Sequence, residues 1–309
     1  MGTISVAKYE FKRDKIKSLE KEYKKANEAD SNDKSKFLDF VHKAIITDIN
    51  GMKTTLEGKM RNPYTKTELL AEIKDKLIKN KLINKIKEVN PDNDDALEGY
   101  LEKSFAAFLD QKLDKWNVNG DIMVSKESGG IQFSLTIDSF EIAEFKNNFT
   151  AIPQTYPATV VLDPCKDYII AYIIGNPTEA SFFRSFIKVL LEGYKFQIIK
   201  WDDQALRQIK EDLSSNFFGV KAKNVEARVY IDAHSEDLDK TNIYKDIEPG
   251  TFSGITYMMK EPYNGNSISI HGFYGTIRSG SDISDDMLIQ YIKENLLEYS
   301  SLTHTTQDS

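Results

Sequence analysis

Leu97–Ile137, LEGYLEKSFAAFLDQKLDKWNVNGDIMVSKESGGIQFSLTI, holds the change of period that decides the fold. In its first half Leu97, Leu101, Phe105, Phe108, Leu109 and Leu113 recur three or four residues apart, which lines one face of a helix. After Asn119-Gly120 the pattern alternates, with Ile131, Phe133, Leu135 and Ile137 on one side and polar residues on the other, which lines one face of a strand. Ser128-Gly129-Gly130 between Asp121–Ser125 and Ile131–Ile137 predicts paired strands around a turn. Helix gives way to strand near Trp116.

Upstream of that point most of the chain reads as helix. Thr3–Phe11 alternates as a first strand, and Lys15–Ala29 is a charged helix. Ser35 is a candidate cap for a helix with Phe37, Phe40, Val41, Ile45 and Ile49 on its apolar face. Thr67 opens a helix in which Leu69, Leu70, Ile73, Leu77, Ile78, Leu82, Ile86 and Val89 form the apolar stripe, and Asn90-Pro91-Asp92 ends it. The short proline-containing link to the Leu97 helix predicts an antiparallel helical hairpin over 67–116.

Downstream, strands and helices alternate. Phe140–Phe149 reads as a short helix, Ala158–Leu162 and Tyr168–Ile174 as strands, and Thr178 as the cap of a Phe-rich helix. Val220–Ile231 reads as one long strand, with Ser253–Met259 and Ser267–Ile277 as further strands. The expected fold class is α+β: a helical N-terminal region, 1–116, followed by an α/β domain, 117–309, with a mixed β-sheet.

Charge divides at the same place. Residues 1–116 hold 24 Lys/Arg against 21 Asp/Glu, a balance of +3, and 117–309 hold 17 against 27, a balance of −10, which together give the net −7. That balance disfavours non-specific nucleic-acid binding by the whole surface while leaving room for a local basic patch. The single cysteine, Cys165, excludes an internal disulfide and fits a reducing cytosol. MGTISVAKYEFKRDK lacks the apolar core of a secretory leader, and no run of about 18 apolar residues occurs, so a cytoplasmic protein is expected.

Four features carry candidate chemistry. Lys53–Lys87 holds ten Lys/Arg against four Asp/Glu, and Lys74, Lys81 and Lys85 are expected on one polar helix face with Lys79 and Lys87 at its edges. Such a face can neutralise phosphates; it can equally be a solvated surface rich in helix-forming lysine. Glu144-Phe145-Lys146 has the E-x-K form of metal-dependent nucleases, with Asp121 or Asp138 as a second carboxylate, provided that Glu144 and Lys146 share one face of a strand. Gly175-Asn176-Pro177-Thr178 is a strand-to-helix turn of the kind that binds anions. The histidines, His42, His234, His271 and His304, lack zinc-ligand spacing; His271 reads as a packed strand residue. No metal, cofactor or catalytic residue is expected.

Pro157–Ile231 carries one resemblance. PATVVLDPCKDYIIAYIIG leads into a G-x-x-T helix start at Gly175–Thr178, and FGVKAKNVEA stands at Phe218–Ala227. This succession resembles RexA-like phage-exclusion proteins, with KwaB-like antiviral defence proteins as a similar two-component precedent. The resemblance implies a non-enzymatic DNA-binding sensor that signals to a membrane partner. Lys221, Lys223 and Arg228 are its implied backbone contacts. A homodimer would enlarge such a basic surface. Two other functions fit the residues: a nuclease using Glu144 and Lys146, or a protein–protein adaptor docking through the 67–116 hairpin.

Overall fold

The computed structural model describes residues 3–26, 33–58, 60–86, 93–145, 148–175, 180–223, 230–235, 238–263, 265–280 and 283–304. In chain order the elements are β1 (Thr3–Phe11), α1 (Arg13–Ala26), α2 (Lys34–Glu57), β2 (Arg61–Pro63), α3 (Lys66–Lys79), α4 (Asp94–Ser104), α5 (Ala106–Leu109), β3 (Asp114–Val124), β4 (Ile131–Phe145), β5 (Asn148–Pro164) and β6 (Tyr168–Gly175). They continue with α6 (Ala180–Leu190), β7 (Tyr194–Ile198), α7 (Asp203–Leu213), β8 (Ser214–Lys223), β9 (Tyr230–His234), α8 (Asn242–Ile247), β10 (Thr251–Met259), β11 (Ser267–His271), β12 (Thr276–Ser279), α9 (Asp285–Tyr291) and α10 (Ser301–His304).

The α+β content matches the expected class. Two compact units emerge, each discontinuous in sequence: Met1–Gly51, Met123–Gln132 and Thr159–Ser309 form the first, and Met52–Ile122 with Phe133–Ala158 the second. These differ from consecutive segments divided at Trp116. The reason is visible in β1, which is drawn from the N-terminus into the sheet of the first unit, between β6 and β12.

In the first unit the strand order is β6-β1-β12-β11-β10-β8-β9, with β7 also paired to β1. The pairings described there are antiparallel, not the mixture expected from the sequence. Short links between successive strands account for β8–β9, β10–β11 and β11–β12, since parallel neighbours need a long crossover, while β1 meets β6, β7 and β12 from far away in sequence. Two runs read as single strands are hairpins: Ser267–Ile277 folds as β11 and β12, and Val220–Ile231 divides between β8 and β9. One sheet face packs Val220, Ala222, Ile255, Tyr257, Ile268, Ile270 and Ile277 against Leu206 and Ile209 of α7 and Leu288 of α9. Asp202 caps α7 by accepting the Ala205 N–H at 2.9 Å.

In the second unit, α3, α4 and α5 bury Leu69, Ile73, Leu77, Leu97, Leu101 and Phe108 together with Phe140, Phe149 and Ala151. The stretch expected as a helix over Phe140–Phe149 is instead the end of β4 and the start of β5. Burial of Phe140 edge-on to Phe108, with ring centroids 4.8 Å apart, outweighs the local helical pattern.

The α3 helix is capped at Thr65, whose hydroxyl accepts the Glu68 N–H while Glu68 accepts the Thr65 N–H. It ends at Lys79, well short of the expected boundary. Lys81 takes a left-handed conformation, φ 58°. Its N–H donates to Ile78 O, and the Leu82 N–H donates to Leu77 O. That double closure is a Schellman ending built on lysine rather than glycine, so no glycine marked it in the sequence.

Candidate nucleic-acid interface

Strand alternation places Lys221 of β8 on the sheet face opposite the core, since Val220 and Ala222 point inward. Gly254 of β10 is its register partner on one side and Asp232 of β9 on the other. Gly254 is also the register partner of His271 on β11. One row therefore runs Lys221, Gly254, His271. The next row runs Thr256, Ser269, Arg278, through the pairings of β10 with β11 and β11 with β12.

Gly254 is needed there because a Cβ would stand 2.9 Å from Ile270 O. Its missing side chain leaves the floor of a hollow of about 170 Å³, walled by Lys221, Thr256, Ser269, His271 and Arg278. Thr256 and Ser269 share a hydrogen bond of 2.9 Å between their hydroxyls, and the Ser253 hydroxyl donates to Lys221 O at 3.1 Å. Lys221 and His271 are half-buried and Arg278 is exposed. The lining brings the cationic side chains of Lys221 and Arg278 and the His271 imidazole to one hollow, a set that can hold an oxyanion by charge and N–H donation, with Asp232 of β9 as the cross-strand neighbour of Lys221. Lys223, two residues beyond Lys221 and exposed, extends the same face. Arg228 lies outside the described residues.

The other expected basic face does not assemble. Lys74 is ion-paired with Asp94, and Lys85 with Glu144 at 2.5 Å. Because α3 ends at Lys79, Lys81 sits in the terminating turn and Lys85 on a separate short 3₁₀ turn, so the four lysines do not share one helix face. No ion pair is described for Lys79 or Lys81. Lys87 lies outside the described residues. Lys76, which the sequence did not single out, donates to Phe140 O at 2.5 Å and lies 4.5 Å from the centroid of the Phe140 ring, a structural role.

Among the described residues, the carboxylates of the nuclease pattern are not brought together. Glu144 is on a strand, as that chemistry needs, and Lys146 lies outside the described residues. Asp138 is on the same strand six residues earlier, which is about 20 Å of extended chain. Both its oxygens are engaged, by the Asp114 N–H at 2.7 Å and the Thr155 hydroxyl at 2.7 Å. Asp121 lies near the Ser125–Gly130 turn, at the opposite end of β4 from Glu144. Among the described residues no cluster of three His, Cys, Asp or Glu could hold a metal ion.

Most of the described apolar stripe of the helical hairpin, including Leu69, Leu70, Ile73, Leu77, Leu97 and Leu101, is buried in its own unit's core, while Ile78 is exposed. Asn176, Pro177 and Thr178 of the candidate anion turn lie outside the described residues. His42 donates its Nδ1–H to Cys165 O at 2.8 Å. The Cys165 thiol is pushed up to about 11, first by burial and then by the charge of Asp163, which suits no nucleophile.

What the sequence did not reveal was register. His271 read as a packed residue, and Gly254 and Arg278 carried no local signal. They become neighbours only when β8, β10, β11 and β12 pair. Among the described residues, no helix is long and apolar enough to cross a membrane. In comparisons with known proteins, no family model and no curated protein matches the chain.

Proposed function

We propose that this chain is a non-enzymatic nucleic-acid-binding protein that contacts the phosphate backbone through the open face of β8, β10, β11 and β12. The observation carrying this reading is the hollow floored by Gly254, whose lining brings together Lys221, His271 and Arg278. Contacts of this type position a protein on a backbone without reading sequence. Lys221 and Lys223 are also the residues implied by the likeness to phage-exclusion proteins, and that likeness alone supports a sensing role in antiviral defence. A membrane effector as partner and a homodimer belong to the same proposal.

Three cationic side chains, Lys221, Lys223 and Arg278, predict a shallow but measurable salt dependence. Raising salt from ~50 to ~200 mM weakens binding roughly 20-fold if each neutralises one phosphate. Fluorescence anisotropy with a labelled oligonucleotide reads this directly. Lys221→Glu with Arg278→Glu abolishes binding at ~200 mM salt; undiminished binding by that double variant contradicts the assignment.

A further inference from the structure

The turn between β11 and β12 is Gly272-Phe273-Tyr274-Gly275, and both glycines are required by close backbone approach. A Cβ on Gly272 would lie 2.0 Å from Trp201 O, and one on Gly275, at φ +61°, would lie 2.3 Å from Ile199 O. Three backbone hydrogen bonds clamp the same region: Trp201 N–H to Gly272 O at 3.2 Å, Val6 N–H to Gly275 O at 2.9 Å, and Ile199 N–H to Val6 O at 3.2 Å. The turn is thus seated on the segment after β7 and held at both ends.

Between those clamps Phe273 and Tyr274 project into solvent, 63% and 64% exposed. Their rings meet edge to face, with centroids 5.2 Å apart and planes at 88°. Lys200 Nζ stands 4.5 Å from the centroid of the Phe273 ring. Two adjacent exposed aromatics on a rigid turn cost solvation and contribute nothing to the core. They begin two residues beyond His271, a lining residue of the basic hollow.

We propose that Phe273 and Tyr274 form a stacking platform for unpaired bases, so that the ligand of this face is single-stranded nucleic acid. This rests on the backbone-binding reading above and specifies its substrate. Aromatic faces accept any base, because every base presents a π surface, and a neighbouring basic groove tracks the phosphates. Duplex DNA offers the groove its phosphates but keeps its bases stacked on one another. Lys200, beside the Phe273 ring, complements a polyanion, and two rings are too little apolar area for a stable protein interface.

The test compares a ~20-nucleotide oligothymidylate with an abasic strand of equal length and charge, by anisotropy at ~50 mM salt. The natural protein binds the thymidine strand about 10-fold or more tightly than the abasic one. Phe273→Ala with Tyr274→Ala brings thymidine binding down to the abasic level and leaves abasic binding unchanged. Both side chains are exposed, so unfolding is not expected, and circular dichroism checks it. Equal binding of the two strands by the natural protein overturns the stacking proposal while leaving backbone binding intact. Failure to bind either strand overturns both. Capture by anionic lipid vesicles that the double variant loses, without any base preference, reassigns the tip to a membrane surface and overturns the proposal.

Discussion

At Cys165, burial and the neighbouring Asp163 disfavour the thiolate, holding the thiol up to about 11. The unfolded thiol titrates near ~8.5. The folded state therefore holds its proton more tightly. That contribution to stability is intact below ~8.5 and is lost as pH rises toward about 11. Cys165→Ala flattens stability against pH across that window, as denaturant midpoints between those values measure. Native alkylation at neutral pH is slow and becomes fast in denaturant; rapid native labelling contradicts the buried setting. Glu68 shows the opposite sign. Hydrogen bonds from the Lys115 ammonium and from Thr65 hold its carboxyl down to about 2. Its stabilisation is present above the usual carboxylate range and fades as pH falls toward that value. Glu68→Gln removes this acid-side dependence in the same denaturant titration.

Among the elements, α3 was legible at its beginning and not at its end. Its capping box is readable as Thr65 followed by Glu68 three residues later, yet the helix was expected to start at Thr67 and run to Val89. The apolar stripe does continue to Leu82 and Ile86, but those side chains reach the unit's core from outside the helix. Lys81 carries the left-handed residue that the ending needs, where glycine is better tolerated. Lys81→Gly is expected to stabilise by up to about 1 kcal/mol, read as a higher unfolding midpoint, and to leave nucleic-acid affinity unchanged. Thr65→Ala is expected to cost about 1 kcal/mol. The β11–β12 turn was missed for a different reason. Gly272 and Gly275 flank two aromatics, a turn signal, but the alternation of Ser267–Ile277 favoured a continuous strand. Gly275→Ala forces a Cβ against Ile199 O at a left-handed backbone position, so it is expected to destabilise by about 1–3 kcal/mol.

Over the whole molecule, the switch of period near Trp116 identified α+β content without identifying which strands associate. Local pattern encodes an element; pairing is settled by cores whose members are far apart in sequence, as Ile4 with Ile277 in the first unit and Leu77 with Phe140 in the second. The candidate site follows the same rule. Lys221 was found by a sequence likeness, whereas Gly254, His271 and Arg278 join it through register alone. The expected basic helix face failed because its lysines are divided by a helix end and two of them are ion-paired. The measurement that tests the central claim most directly is anisotropy of a labelled single strand with the natural protein and with Lys221→Glu/Arg278→Glu, at ~50 and ~200 mM salt. Salt-sensitive binding that the double variant loses is the predicted result. Binding unaffected by both salt and substitution, or no binding at the lower salt, contradicts it.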